Sequence, residues 1–175
     1  MNLETERKFL VDPKNLGAIR AAKKAKPAIT IEQYYLSIND VSEVRIRIID
    51  DKKAILGIKS SRLYQRDEFE YDISLADAEK MVAEFTHVYG SIKKLRRYIN
   101  FKGFLFEVDE FLEFNKGLII AELELKSMMQ QYETPDWCGE DITSYEQYYN
   151  HCLAKKPYGK WKNAQKPAGL SLQET

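Results

Sequence analysis

The sequence predicts an α+β protein that is mainly antiparallel β, and three observations predict it. Eight segments, at about 3–10, 30–38, 43–50, 53–60, 65–73, 93–101, 104–111 and 119–126, alternate polar and apolar residues with the period of a strand. Asp50-Asp51-Lys52 and Lys102-Gly103 are connections too short for a crossover helix, so the strands they join form antiparallel hairpins. Helical punctuation is confined to a few places between those strands. An antiparallel sheet or barrel with helices packed against it follows.

The helical elements are read in chain order. Asp12 can cap a first helix with Pro13 at its first position, before Leu16 and Ile19. Ser74 can cap a second that closes at Gly90, in which Leu75, Ala78, Val82, Phe85 and Tyr89 share one face at spacings of three and four. A third is expected around Ser144 to Lys155. Residues 1–156 read as one domain, and 157–175, with Gly159, Pro167 and Gly169 among polar residues, as a loose polar tail.

Composition narrows the function. The chain has 175 residues, 44% hydrophobic, with 27 basic and 27 acidic side chains. A net charge of zero excludes a polybasic coat for nucleic acid or anionic lipid. No apolar run reaches the roughly 18 residues of a membrane span, and the start Met1-Asn2-Leu3-Glu4-Thr5-Glu6 is acidic where a signal peptide is basic and then apolar. The expectation is a cytoplasmic protein. Cys138 and Cys152 make no disulfide framework, and His87 and His151 make no zinc-ligand spacing. A metal ion here would be held by oxygen.

Separating each strand into its two faces is the informative step, because successive side chains point to opposite sides. One face carries Glu4, Glu6, Lys8; Arg45, Arg47; Lys59; Glu68, Glu70, Asp72; Lys94, Arg96; Glu107, Asp109; and Glu122, Glu124, Lys126. The other carries Val44, Ile46, Ile48; Ile58; Phe69, Tyr71, Ile73; Leu95, Ile99; Phe106, Val108; and Ala121, Leu123, Leu125, a natural core face. A merely solvated face mixes polar types, whereas most of these strands are acid-only or base-only. If eight such strands close into a barrel with the apolar face outward, the lumen is densely charged. Like charges about 4 Å apart repel by several kcal/mol at a protein-like dielectric, so such a lumen calls for cations at its acids and a polyanion at its bases. Oxygen ligands select hard ions such as Mg²⁺ or Mn²⁺, and the arginine forks suit phosphoryl oxygens. Gly57-Ile58-Lys59-Ser60 lacks the upstream glycine of a phosphate-binding loop, so side chains must grip the phosphate.

Glu4-Thr5-Glu6-Arg7-Lys8-Phe9 opens the chain as an E-x-E-x-K strand. It is followed in order by Arg45-Ile46-Arg47, Lys59, Glu68-Phe69-Glu70, Lys94-Leu95-Arg96, Glu107-Val108-Asp109, Ala121-Glu122-Leu123-Glu124 and Tyr148-Tyr149-Asn150. With this set the sequence resembles the CYTH family of triphosphate tunnel metalloenzymes, over about residues 2–155, closest in style to short bacterial tripolyphosphatases. The resemblance implies an eight-stranded antiparallel tunnel with Mg²⁺ or Mn²⁺ on Glu4, Glu6, Glu68, Glu70, Asp109, Glu122 and Glu124. It implies a triphosphate held by Lys8, Arg45, Arg47, Lys59, Lys94 and Arg96. Two registers fit the 93–101 strand, and the one with Lys94 and Arg96 inward, rather than Leu95 and Arg97, keeps Leu95 and Ile99 in the core. Glu146 and Gln147 stand where relatives often carry a lysine, for which Lys155 or Lys156 is the candidate replacement. His151 beside Cys152, and Tyr34, Tyr35, Tyr148 and Tyr149, read as ordinary packing.

The reaction expected is hydrolysis of a linear triphosphate, inorganic tripolyphosphate first, with Lys8 on the substrate and a water oriented by Glu70 or Glu4 attacking the terminal phosphorus. The alternatives are an adenylate cyclase of the same family, in which the substrate's own 3′-hydroxyl replaces water, and a noncatalytic polyphosphate-binding module. A triphosphate-containing small molecule is the expected partner, with no nucleic acid and no membrane, and a homodimer is left open.

Overall fold

Period-two alternation underlies eight of the nine strands in the computed structural model, which describes residues 5–15, 17, 19, 27–60, 67–85, 89–127 and 129–161. They are β1 (Thr5–Val11), β2 (Ile29–Ile38), β3 (Ser42–Ile49), β4 (Lys53–Ser60), β5 (Glu68–Ile73), β6 (Ser91–Phe101), β7 (Phe104–Phe111), β8 (Ile119–Leu125) and β9 (Cys138–Asp141). All pairings are antiparallel, in one sheet ordered β5-β4-β3-β2-β6-β7-β8-β1-β9. Both predicted hairpins are present. Asp50 and Asp51 take positive φ at the β3–β4 turn, as Lys102 and Gly103 do at the β6–β7 turn, the left-handed backbone that matches the twist of the flanking strands.

The eight-stranded closed barrel is overturned. Among the described residues β5 pairs with β4 alone and β9 with β1 alone, so the sheet has two edges and does not close. The physical reason is the strand that the periodicity missed. Closure would bring β5 onto the outer edge of β1, and β9 already occupies that edge, pairing Asp141 with Phe9 and Cys138 with Val11. Four residues reading Cys-Gly-Glu-Asp carry no apolar alternation to betray a strand. Gly139 packs so closely that a Cβ there would stand 3.0 Å from the Leu10 carbonyl oxygen.

Two helices are described. α1 (Leu75–Phe85) is capped as expected by Ser74, whose Oγ accepts the Asp77 N–H at 3.1 Å. It covers Ile46, Ala54 and Leu56 of the outer sheet face. Its expected run to Gly90 passes through 86–88, outside the described residues. The third predicted helix shrinks to α2 (Asn150–Lys155), preceded by a 3-10 turn at Glu146–Tyr148. At the first predicted helix the described residues show a 3-10 turn at Pro13–Asn15 followed by helical backbone at Gly17 and Ile19. No helix among the described residues is long and apolar enough to cross a membrane.

Three apolar clusters hold the sheet. Two lie on the outer face, one under α1 and one around Phe9, Phe106, Val108, Ala121 and Leu123. The third lies on the same face as the charges. Leu10, Tyr35, Ile92, Phe111 and Ile120 pack there against Tyr148, Leu153, Tyr158 and Trp161. Tyr158 and Trp161, read from the sequence as the start of a loose tail, are buried in this cluster; residues from 162 onward lie outside the described set.

Candidate active site

Alternation carries the charged side chains of seven strands to one side, and the curl of the sheet makes them converge. Glu6, Lys8, Arg45, Arg47, Lys59, Glu68, Glu70, Lys94, Arg96, Glu122 and Glu124, eleven of the thirteen residues expected from the sequence, line one cavity of about 1100 Å³. That is the large end for small-molecule sites. Glu4 lies outside the described residues. Asp109 is fully buried beneath the cavity floor. The register question is settled: Lys94 and Arg96 face inward, whereas Arg97 pairs with Glu110 at 3.0 Å on the other side.

Charge is arranged by strand. Most bases lie on β4, β3 and β6 at the middle of the sheet, flanked by acids on β5 at one side and on β7, β8 and β1 at the other, with Lys8 on β1 and Glu43 on β3 breaking the pattern. Each base meets carboxylates. Lys8 pairs with Glu122 and, at 3.1 Å, with Glu6. Arg45 pairs with Glu68, and Arg47 with Glu70 at 3.2 Å. Lys59 lies 3.6 Å from Glu68. Lys94 and Arg96 share Asp109, the latter through a two-pronged contact at 2.7 and 2.6 Å, and Arg96 also reaches Glu107 and Glu122. Arg45 crosses β4 to reach β5 because residue 57, on the intervening strand, is glycine. A Cβ there would stand 3.1 Å from Arg45 Nε.

Burial sharpens these interactions by removing water. At Lys8 it works against the ammonium, but Glu122 and Glu6 overcome it and hold the pKa above the ordinary lysine range. At Lys94 burial wins over Asp109, and the pKa falls. Glu122 is held well below the usual carboxylate range, the three bases Lys8, Lys94 and Arg96 outweighing its burial. Glu107 moves the other way, raised by burial together with Glu122 and Asp109 against the pull of Arg96.

The acids on β1, β7 and β8 crowd one another. Glu6 lies directly across from Glu124, and Glu107 across from Glu122, like-charge pairs that cost stability unless a cation relieves them. Their donors are all oxygen, which suits a hard divalent ion. No three Asp, Glu, His or Cys side chains among the described residues already converge into a metal cage; the carboxylates are turned onto the bases.

Sequence reasoning missed Glu43, Tyr35, Tyr149, Asn150 and His151, all of which line the cavity. Glu43 was within reach, since it shares the parity of Arg45 and Arg47. The others needed tertiary information. His151, expected to be plain packing, instead bonds Glu43 at 3.1 Å. Neither Lys155 nor Lys156 lines the cavity; the Lys155 ammonium lies over the Tyr89 ring.

A curled antiparallel sheet with sorted acids and bases around such a cavity defines a small-polyanion-binding class. The chain belongs to the CYTH domain family, whose profile matches residues 2–156. It is 35% identical over 162 residues to an inorganic triphosphatase of Acetivibrio thermocellus, covering 93% of this chain and 99% of that protein. To an inorganic triphosphatase of Nitrosomonas europaea it is 30% identical over 156 residues, covering 86% and 96%. The crystal structure of an inorganic triphosphatase superposes with a TM-score of 0.62 at 29% identity, over 88% of this chain and 95% of that one.

Proposed function

We propose that this protein is a cytoplasmic, metal-dependent triphosphatase that hydrolyses a linear triphosphate, inorganic tripolyphosphate ahead of organic triphosphates. The observation that carries the reading is the single cavity in which six bases and five of the expected carboxylates meet. Its likeness over nearly full length to two inorganic triphosphatases supports it.

Lys8, Arg45, Arg47, Lys59, Lys94 and Arg96 bind the phosphoryl oxygens, exchanging carboxylate partners for phosphate ones. Arg45 and Arg47 stand two residues apart on β3, about 6.6–7 Å at the usual rise, a spacing suited to neighbouring phosphoryl groups. Glu6, Glu68, Glu70, Glu122 and Glu124, together with Glu4, would hold Mg²⁺ or Mn²⁺, which when bound neutralises charge on the transferring phosphoryl group. Asp109 serves as the buried anchor that orients Lys94 and Arg96. Glu70 or Glu4 orients the water that attacks the terminal phosphorus.

The test is phosphate release from tripolyphosphate beside ATP, with Mg²⁺ or Mn²⁺, while following pyrophosphate and cyclic AMP. Tripolyphosphate turnover that stops in EDTA and returns with either ion is the expected result. Undiminished turnover in chelator would remove the metal, and cyclic AMP from ATP would replace hydrolysis by cyclisation.

A further inference from the structure

The short segment before and into α2 contributes Tyr149, Asn150 and His151 to the cavity lining. The Lys8 N–H donates to Thr143 Oγ1 at 3.0 Å, and the Tyr149 hydroxyl donates to the Thr143 carbonyl at 3.0 Å, so this segment is tied to β1. The Lys8 ammonium lies 5.8 Å from the centre of the Tyr149 ring. Two residues further on, His151 Nδ1 reaches Glu43 Oε2 on β3 at 3.1 Å. Four strands separate β1 from β3 in the sheet, so only the curl brings both within reach of one turn of chain.

Glu43 differs from the anchoring carboxylate Asp109. Its other oxygen lies 3.8 Å from Arg45, its cross-strand neighbour is Lys59, and its side chain keeps 13% of its surface exposed, against 1% for Asp109. It stands among three basic groups, His151, Arg45 and Lys59, that all line the cavity. Hydrogen bonds to Cys152 and Glu43 push the His151 imidazole up to about 9, so the ring is a cation at neutral pH.

We propose that His151 is a further substrate-contacting residue, one that Glu43 holds in the cavity lining and that transfers its hydrogen bond from Glu43 to a phosphoryl oxygen of the bound anion. The proposal rests on the triphosphatase reading above. It makes Glu43 a competitor of the substrate, so removing the two partners has opposite effects. A charge-assisted hydrogen bond lost from His151→Gln should weaken tripolyphosphate binding by about tenfold. Glu43→Gln should tighten it at about pH 6, where even an ordinary histidine is largely protonated. A purely structural ion pair would give losses of the same sign.

The experiment is calorimetric titration of wild type, His151→Gln, Glu43→Gln and Arg45→Ala with tripolyphosphate in Ca²⁺ buffer, beside proton NMR of the imidazole signals. The chain has two histidines, so the signal missing from His151→Gln identifies the ring. In wild type that signal should titrate well above the ordinary histidine range and shift on adding tripolyphosphate, a readout that needs no variant to fold. If tripolyphosphate binds, and Arg45→Ala weakens it, while the His151 signal stays still and His151→Gln binds as wild type does, this inference is overturned alone. If wild type binds no tripolyphosphate, the triphosphatase reading fails and takes the inference with it.

Discussion

Lys8 and Leu10 stand two residues apart on β1, point to the same side of the sheet, and belong to different regions. Lys8 lines the cavity, and Leu10 lies in the apolar cluster sealed by α2 and Trp161. The same division recurs between Lys94 and Ile92, Asp109 and Phe111, and Glu122 and Ile120. One sheet face therefore has a charged half that needs counter-ions and an apolar half that needs a plug. The boundary steps along the sheet, since Asp109 lies across from Ile120 and Lys94 across from Phe111. Lys94 sits at that boundary with its ammonium 5.5 Å from the Phe111 ring centre and its charge on Asp109. The contrast teaches that an apolar core and a charged cavity are assigned to neighbouring residues of the same strands.

The largest effect should come at the boundary itself. Asp109→Ala would leave the buried Lys94 without its ion-pair partner and Arg96 with Glu107 and Glu122 only, and breaking such a buried pair costs about 3–5 kcal/mol. Urea unfolding should show it, and an unchanged midpoint would mean that the charged half contributes nothing to the fold. Next comes the plug. Leu153→Ala removes a fully buried side chain and should cost about 2–5 kcal/mol in the same measurement, with far less change in triphosphate affinity of the folded fraction. A collapse of affinity without loss of stability would merge the two regions.

Gly57→Val is the converse. Its backbone needs no left-handed φ, but the new side chain would displace Arg45 from its path to β5. Weaker tripolyphosphate binding, by about tenfold, should accompany a stability change under about 1.5 kcal/mol. Wild-type affinity would show that Arg45 finds substrate by another route.

The smallest effect is a pH dependence. Folding raises the His151 pKa from 6.5 to about 9, through Cys152 and Glu43, so the folded state holds this proton more tightly than the unfolded chain. That contribution is complete below the unfolded value and is lost as pH rises through the folded one. The melting-temperature gap between wild type and His151→Gln should therefore narrow between about pH 6.5 and 9. A gap that stays constant would assign the imidazole to packing.

By itself the sequence determined which side chains share a face, because alternation along a strand is a local property of the backbone. That was enough for the hairpins, for the inward registers of Lys8, Arg45, Arg47, Lys59 and Glu122, and for the chemistry of a charged cavity. The tertiary structure decided what depends on how strands meet. β9 reads as no strand until β1 offers it an edge, and by taking that edge it leaves the sheet open. Leu10 and Ile120 share the parity of Lys8 and Glu122, and only the chain returning through Tyr148, Leu153 and Trp161 makes their half of the face dry. His151 and Glu43 are 108 residues apart in sequence and 3.1 Å apart in space. No local pattern encodes that contact, because it is set by the curl of the sheet summed over the strands between β1 and β3.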